Sequence, residues 1–265
     1  MPLRIATWNI NSVRLRALNV CRLLDEIRPD ILCLQETKTP DEFFPREAFE
    51  ACGYTHQHFV GMKSYNGVAI LSKVPFAAKD TRDWCARVDC RHATVELAGG
   101  IELHNIYVPA GGDIPDPEAN PKFAHKLQFL DELTAWFGAE RGGGRKMIAV
   151  GDLNIAPLET DVWSHKQLLT VVSHTPIEVE KLAGWQRSVD FVDAVRHFVS
   201  PEERLFTWWS YRNRDWAASD RGRRLDHIWV TPPLVASLRG AQVHRDARNW
   251  DKASDHVPVV IDLDV

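Results

Sequence analysis

The sequence predicts a layered α+β sandwich, and three observations carry that prediction. Short apolar strand patterns recur at hairpin spacing along most of the chain. Helical patterns are few, which favours a sandwich over a doubly wound parallel sheet. No linker, internal repeat or low-complexity tract divides the 265 residues, and the last strand pattern runs to position 264, so 1–265 is expected to build one core.

The elements follow in order. Residues 3–10 read as a strand. Val13, Leu15, Leu18, Leu23, Leu24 and Ile27 fall at helical spacing and predict a helix over 14–28, stopped by Pro29-Asp30. Residues 31–36 form a buried-strand pattern, and 45–52 a short helix closed by Gly53. Short strands are expected at 54–60, 67–72, 92–97 and 101–108. Phe123, Leu127, Leu130, Leu133, Thr134 and Phe137 share one face of a helix over 121–140, which Gly142-Gly143-Gly144 breaks. A strand at 146–151 precedes loops and short helices over 156–200, including 177–183 and 189–197. Strands return at 205–209, 225–231 and 257–264. The longest loops, 109–120 and 211–224, lie between core elements and read as functional.

Composition narrows the class. The chain is 45% hydrophobic, as expected of a soluble globular protein, and no apolar run approaches the ~20 residues that span a bilayer. The start, Met1-Pro2-Leu3-Arg4-Ile5, lacks the apolar core of a signal peptide. Five cysteines, an odd count without a C-x-x-C pair, point to reduced thiols and a cytoplasmic protein; Cys21 and Cys33 are expected in the core. No long exposed apolar stripe is evident, so a monomer is expected. The net charge of −4 supplies no global attraction to nucleic acid, but 204–224 concentrates Arg204, Arg212, Arg214, Arg221, Arg223 and Arg224 among Phe206, Trp208, Trp209, Tyr211 and Trp216. Arginines bind phosphates and aromatic faces stack on bases or sugars; a solvated arginine loop over a tryptophan core fits the composition equally well.

The chemistry gathers at strand boundaries. Asn9, Glu36, Asp152 and Asn154 follow apolar runs, and Asp226 and Asp255-His256 precede them. Acids, amides and one histidine at five strand boundaries suggest one site assembled at a sheet edge. In Gly151-Asp152-Leu153-Asn154 the i, i+2 spacing points Asp152 and Asn154 the same way, with Gly151 allowing close approach; a plain turn is an equally good local reading. Glu36, closing a strand buried on both faces, needs a cation, either a metal or the nearby Lys38. His256 is the general-base candidate, oriented by Asp226; His227 ranks lower because it should face away from Asp226. Tyr107 ends a strand, either to reach a phosphate or as a half-buried aromatic. A divalent metal held by Glu36 with Asn9 and Asp255 would polarise a phosphoryl group, and His256 or Asp152 would activate water, with Asn154 orienting it. Oxygen ligands without cysteine suit Mg²⁺ or Mn²⁺.

The blocks Trp8-Asn9-Ile10-Asn11-Ser12-Val13-Arg14, Leu34-Gln35-Glu36-Thr37-Lys38, Asn105-Ile106-Tyr107-Val108-Pro109, Gly151-Asp152-Leu153-Asn154-Ile155-Ala156-Pro157, Thr207-Trp208-Trp209-Ser210-Tyr211, Arg224-Leu225-Asp226-His227 and Ser254-Asp255-His256-Val257-Pro258-Val259 resemble, in the same order, the exonuclease III family of abasic-site endonucleases. That resemblance implies a four-layered α/β sandwich of two packed mixed sheets flanked by helices. It implies Mg²⁺-dependent incision of duplex DNA 5′ to abasic sites, with 3′→5′ exonuclease and 3′-end cleaning. It makes Glu36 the main metal ligand, with Asn9 beside it and Asp255 contributing. Asp152 would activate or position water, Asn154 orient it, Asp226 orient His256 on the phosphate, and Tyr107 bind phosphate or assist the leaving group. Trp208, Trp209 and Leu225 would line a pocket for an extruded abasic sugar, with Lys38 and Arg224 on the substrate. The resemblance leaves the choice of base between Asp152 and His256 open. Two other readings compete: a superfamily phosphoesterase acting on RNA, lipid or inositol phosphates, and a catalytically silent DNA-binding relative. The arginine–aromatic block favours DNA, and no expected catalytic position is missing.

Overall fold

Period-two alternation along the strands decides the layering. The computed structural model describes residues 2–142, 144–213 and 215–265; Met1, Gly143 of the glycine break and Arg214 of the arginine–aromatic block lie outside the described residues. The chain runs through β1 (Pro2–Asn9), α1 (Ala17–Glu26), β2 (Ile31–Gln35), α2 (Arg46–Ala51), β3 (His56–Val60), β4 (Val68–Ser72), β5 (Ala78–Thr81), β6 (His92–Leu97) and β7 (Ile101–Ile106). It continues through α3 (Pro121–Glu140), β8 (Lys146–Asp152), α4 (His165–Leu168), α5 (Pro176–Ser188), β9 (Val192–Asp193), β10 (Trp208–Trp209), α6 (Trp216–Ser219), β11 (Gly222–Arg223), β12 (Asp226–Val230), α7 (Pro232–Val235), β13 (Leu238–Val243) and β14 (Val259–Asp264).

Two six-stranded sheets form, in the orders β13-β14-β1-β2-β4-β3 and β5-β6-β7-β8-β12-β9. Each is mixed: β1 and β2 are parallel, as are β7 and β8, and the other pairs are antiparallel. Ile5, Cys33 and Ile70 from the first sheet meet Leu103, Val150 and Ile228 from the second in one core. Their neighbours Ala6, Trp8, Leu34 and Leu71 face the other way, onto Val20, Leu23 and Phe49 of α1 and α2. On the far side Met147, Ala149 and Trp229 pack on Leu130, Phe137 and Trp185 of α3 and α5. Helix, sheet, sheet, helix is the four-layered sandwich, and the central strands of both sheets are covered on both faces.

The helix ends carry chemical stops. Asn120 Oδ1 accepts the Lys122 N–H at 3.0 Å and Pro121 opens α3; Thr175 and Glu178 form a capping box on α5. No helix among the described residues is long and apolar enough to cross a membrane.

Several expectations are corrected. The helix predicted over 14–28 begins only at Ala17, after Asn11 and Ser12 turn with positive φ, and Leu18 is 85% exposed while Val20, Leu23 and Leu24 hold the core face. The helix predicted over 189–197 does not form; Val192–Asp193 pairs with β12, and Asp193 Oδ1 accepts the N–H groups of Val195 and Arg196 in a turn. The strand predicted at 205–209 shrinks to Trp208–Trp209. Two edge strands, β5 and β13, carry no core alternation to read: β5 is exposed throughout, and β13 is bulged and partly exposed. Cys33 is buried as expected, whereas Cys21 is only half-buried.

Candidate active site

Strand direction explains why the polar residues follow some runs and precede others. Parallel β1 and β2 end at one edge, bringing Asn9 and Glu36 there; β8 ends at the same edge of its sheet with Asp152, and Tyr107 follows β7. Antiparallel β12 and β14 begin where their partners end, so Asp226 pairs with Asp152 and Asp255-His256 arrives beside β1. Two bonds seat the last segment: Trp8 Nε1 donates to the His256 carbonyl at 2.9 Å, and Ser254 Oγ donates to the Asn9 carbonyl at 2.7 Å. The site spans the joint between the two sheets.

Close approach and local strain set the side chains. A Cβ on Gly151, whose φ is +143°, would fall 1.9 Å from the Ile106 carbonyl oxygen, so β7 and β8 converge here only with glycine. Asn11, Glu36, Lys38 and Asn154 all adopt left-handed φ of 48–52°. Each such non-glycine conformation costs on the order of 1 kcal/mol and persists because the surroundings dictate it.

At the centre, Asn9 Nδ2 donates to Glu36 Oε1 at 2.9 Å and to Asp152 Oδ2 at 2.8 Å, joining a carboxylate of each sheet. Tyr107 donates its hydroxyl to Glu36 Oε1 at 2.9 Å. Lys38 Nζ lies 2.6 Å from Glu36 Oε2. Burial works to raise the Glu36 carboxyl, but the charge and hydrogen bond of Lys38, with the Asn9 amide and the His256 charge, together outweigh it and hold the group below the usual carboxylate range. Asp152 Oδ1 accepts the Asn154 N–H at 2.9 Å, and Asn154 Nδ2 is anchored on the Val108 carbonyl at 2.9 Å. Burial pushes the Asp152 carboxyl up to about 7, with Asp226 and Glu36 adding to the push against His256 and Asn9. His256 Nδ1 lies 2.8 Å from Asp226 Oδ2, and its Nε2 lies 3.6 Å from Asp152 Oδ2. Burial disfavours the charged ring, yet the two carboxylates overcome it and raise His256 to about 10. Thr207 Oγ1 donates to Asp226 Oδ2 at 2.6 Å and accepts the Leu225 and Asp226 N–H groups, locking the orienting carboxylate. Asp152, Asp226 and His256 are buried with ligand-type atoms within 4.8 Å of one another, the imidazole lying between the two carboxylates.

Asp255 stands in an outer ring. Its Oδ1 accepts from Asn11 Nδ2 at 3.0 Å and its Oδ2 from Trp208 Nε1 at 2.9 Å, while Lys38 Nζ donates to Asn11 Oδ1 at 2.6 Å. Asn9 is beside Glu36 as expected; its Oδ1 accepts the Asn11 N–H at 3.0 Å and its amide bridges the Glu36 and Asp152 carboxylates. Tyr107 faces the Glu36 carboxylate; burial, then the Glu36 and Asp152 charges, hold its hydroxyl well above the usual range and protonated.

A cleft of about 760 Å³ opens next to this centre, walled by Trp163, Val171 and Trp208. Leu225 packs into the same wall. Trp208 forms an isolated β-bridge to His256, which fixes the cleft against the triad. Trp209 does not line the cleft: it is 1% exposed, packs on Phe206 and Trp216, and donates its Nε1 to Asp220 at 2.9 Å. Arg224, expected on the substrate, is also corrected. It is buried and bonded to both oxygens of Asp161, at 2.8 and 3.0 Å, and to Asp193 at 2.6 Å. His227 is buried with Nε2 on the Ile155 carbonyl at 2.8 Å, away from the site.

Two residues escaped sequence reasoning. Lys126 and Glu178 form a fully buried pair at 2.5 Å. Lys126 also donates to the Asn154 carbonyl at 2.8 Å, and Glu178 accepts the Ser173 and Thr175 N–H groups, so the pair holds the Asn154 loop against α5. Position 126 falls i+3 from Phe123 on the apolar face of α3, and a lysine there was a legible signal. Arg223, neighbour of Arg224, lines the cleft.

The chain matches the endonuclease/exonuclease/phosphatase family over residues 6–256. It is similar to an exodeoxyribonuclease III from Haemophilus influenzae, 29% identical over 97% of this chain and 98% of that one. Among solved structures it is similar to an AP endonuclease from Archaeoglobus fulgidus, with a TM-score of 0.91 at 34% identity over 99% of this chain and 100% of that one. A 3′ phosphatase from Neisseria, solved with a product DNA hairpin, gives the same TM-score of 0.91 at 30% identity, covering 99% of this chain and 100% of that one. With the two-sheet scaffold and its joint-spanning carboxylate–histidine centre, this full-length likeness means that the chain belongs to the endonuclease/exonuclease/phosphatase family.

Proposed function

We propose that the protein is a metal-dependent DNA-repair nuclease that cuts the phosphodiester 5′ to abasic sites in duplex DNA and trims blocked 3′ ends. The observation that carries this reading is Asn9 joining Glu36 of one sheet to Asp152 of the other, with His256 held between Asp152 and Asp226. The similar exodeoxyribonuclease III and AP endonuclease supply the substrate class. Residues 1–265 act as one domain, since β1 and β14 pair at the centre of a sheet and both sheets furnish the site. The five free cysteines fit a reducing compartment, the cytoplasm.

The donor set fits a hard divalent cation. Glu36 Oε2 already attracts the Lys38 ammonium, and Asn11 links that lysine to a second carboxylate, Asp255. Glu36 would hold Mg²⁺, with Mn²⁺ able to substitute, and Asp255 would contribute from the outer ring. When bound, the ion supplies Lewis-acid stabilisation of charge on the phosphoryl oxygens and the leaving 3′ oxygen.

The chain's own residues do the rest. His256 faces a carboxylate from each ring nitrogen, so both nitrogens carry protons and the ring has no free site for another. It serves as a cationic donor to the scissile phosphate, and Asp152 is left to take the proton from water. Asn154, fixed by Val108 and Asp152, orients that water. Water oxygen bonds to phosphorus, the bond from phosphorus to the 3′ oxygen breaks, and the 3′ oxygen takes a proton.

Incubating the protein with a duplex carrying one tetrahydrofuran abasic analogue tests the proposal. Cleavage is expected with Mg²⁺, absent with EDTA, and reduced on the order of 10²–10⁴-fold or more in Asp152→Asn. Cleavage that survives EDTA would sink the metal reading. Turnover of an inositol or lipid phosphate with none of the duplex would sink the DNA reading.

A further inference from the structure

Arg223 is a cation without a counter-ion at the edge of the reaction centre. On the two-residue ribbon of β10 and β11 it lies directly opposite Trp208, with its guanidinium 5.3 Å from the indole centroid. One nitrogen, Nη1, donates to the Val172 carbonyl at 3.0 Å and to Ser173 Oγ at 2.7 Å. Its Nε is buried with no partner, and no carboxylate among the described residues lies within ion-pair distance of it. Burial lowers its affinity for the proton, with only the more distant Glu178 opposing. The same cleft wall carries Arg221, stacked 4.7 Å over Trp163, and Arg212, against one acid, Asp113. A half-dry guanidinium left unpaired is costly, and an anion entering the cleft removes that cost.

We propose that this cleft is an anion-receiving subsite and that Arg223 is its specificity-determining residue, favouring 3′-blocking fragments that carry their own carboxylate over neutral abasic deoxyribose. This rests on the nuclease reading above and names the substrate class of that site. A neutral sugar would gain only the apolar wall of Trp208, Val171 and Leu225. A carboxylate gains a charge-assisted, planar partner as well. The reaction is the hydrolysis already described: water oxygen joins phosphorus, the bond to the DNA 3′ oxygen breaks, that oxygen takes a proton, and the fragment leaves as a phosphate monoester with its carboxylate intact.

The test compares kcat/KM on one duplex ending in 3′-phosphoglycolate and on one carrying an internal tetrahydrofuran site, for wild type, Arg223→Gln and Arg223→Lys. Arg223→Gln should lower the ratio of phosphoglycolate to tetrahydrofuran turnover about tenfold or more, and Arg223→Lys should restore part of it. Equal losses on both substrates, or no change in the ratio, overturn the subsite. If the wild type cleaves neither duplex, the nuclease reading itself falls. Should Arg223→Gln fail to fold, inhibition of the wild type decides: 2-phosphoglycolate should inhibit about tenfold better than glycerol 3-phosphate, and equal inhibition overturns the proposal.

Discussion

Two faces of one small ribbon have opposite fates. Trp208 and Arg223 point into the cleft, one half-buried and bonded to Asp255, the other a cation without a carboxylate. Their sequence neighbours Trp209 and Arg224 are each 1% exposed; Trp209 is packed among aromatics, and Arg224 is neutralised by Asp161 and Asp193. Arg196 joins the same network 2.5 Å from Asp161. Identical residue types one position apart therefore serve stability on one face and recognition on the other. What separates them is whether the protein supplies the partner. Where it does, the side chain is structural; where it does not, the site is left wanting a ligand.

Substitutions can break this contrast, and their effects on stability should fall in order. Arg224→Met removes the cation shared by buried Asp161 and half-buried Asp193, leaving Arg196 as the remaining cation on Asp161, and should cost about 3–5 kcal/mol in urea unfolding; a cost below about 1 kcal/mol would mean that the pairs contribute nothing. Trp209→Phe keeps part of the aromatic packing but removes the indole donor to Asp220, whose Oδ1 keeps its bond from Arg245, and should cost about 1–3 kcal/mol. Asp193→Asn bears on acid stability. Burial works to raise the Asp193 carboxyl, but the Arg224 charge, together with His227 and the Arg196 N–H, outweighs it and holds the group well below the usual range. A carboxylate so depressed adds stability above its unfolded value near 3.9, and that stability is lost as pH falls toward the folded value. Unfolding measured across pH 2–5 should therefore show a flatter acid limb in Asp193→Asn, and an unchanged slope would contradict the pairing. Trp208→Phe should cost least, under about 1 kcal/mol, because its face of the ribbon is open. Its effect should appear instead in kcat/KM on abasic duplex, through the lost bond to Asp255; a stability loss matching that of Trp209→Phe would erase the distinction between the faces.

The reaction centre was largely legible before any coordinates. Asn9, Glu36, Asp152 and His256 adjoin long apolar runs that frame them, and strand alternation then dictates where they meet. The ribbon was not legible in this way. A two-residue strand has no period to read, so nothing in Trp208-Trp209 or Arg223-Arg224 says which member turns inward. Arg224 was accordingly placed on the substrate, while Arg223 was read only as one arginine of the 204–224 block. The edge strands β5 and β13 were hidden for the related reason that an uncovered strand needs no apolar alternation. Lys126 was legible in principle, since a charge among apolar helix positions demands a buried partner, and Glu178 of the capping box is that partner.

The pairing of β14 with β1 has a consequence for timing. A growing chain displays Glu36 early and Asp152 midway, yet the strand that completes the middle of the first sheet, and the histidine just ahead of it, come last. Such a long-range closure cannot form on a partial chain. The nuclease's centre is thus complete only once β14 has been made and His256 has docked under Trp8.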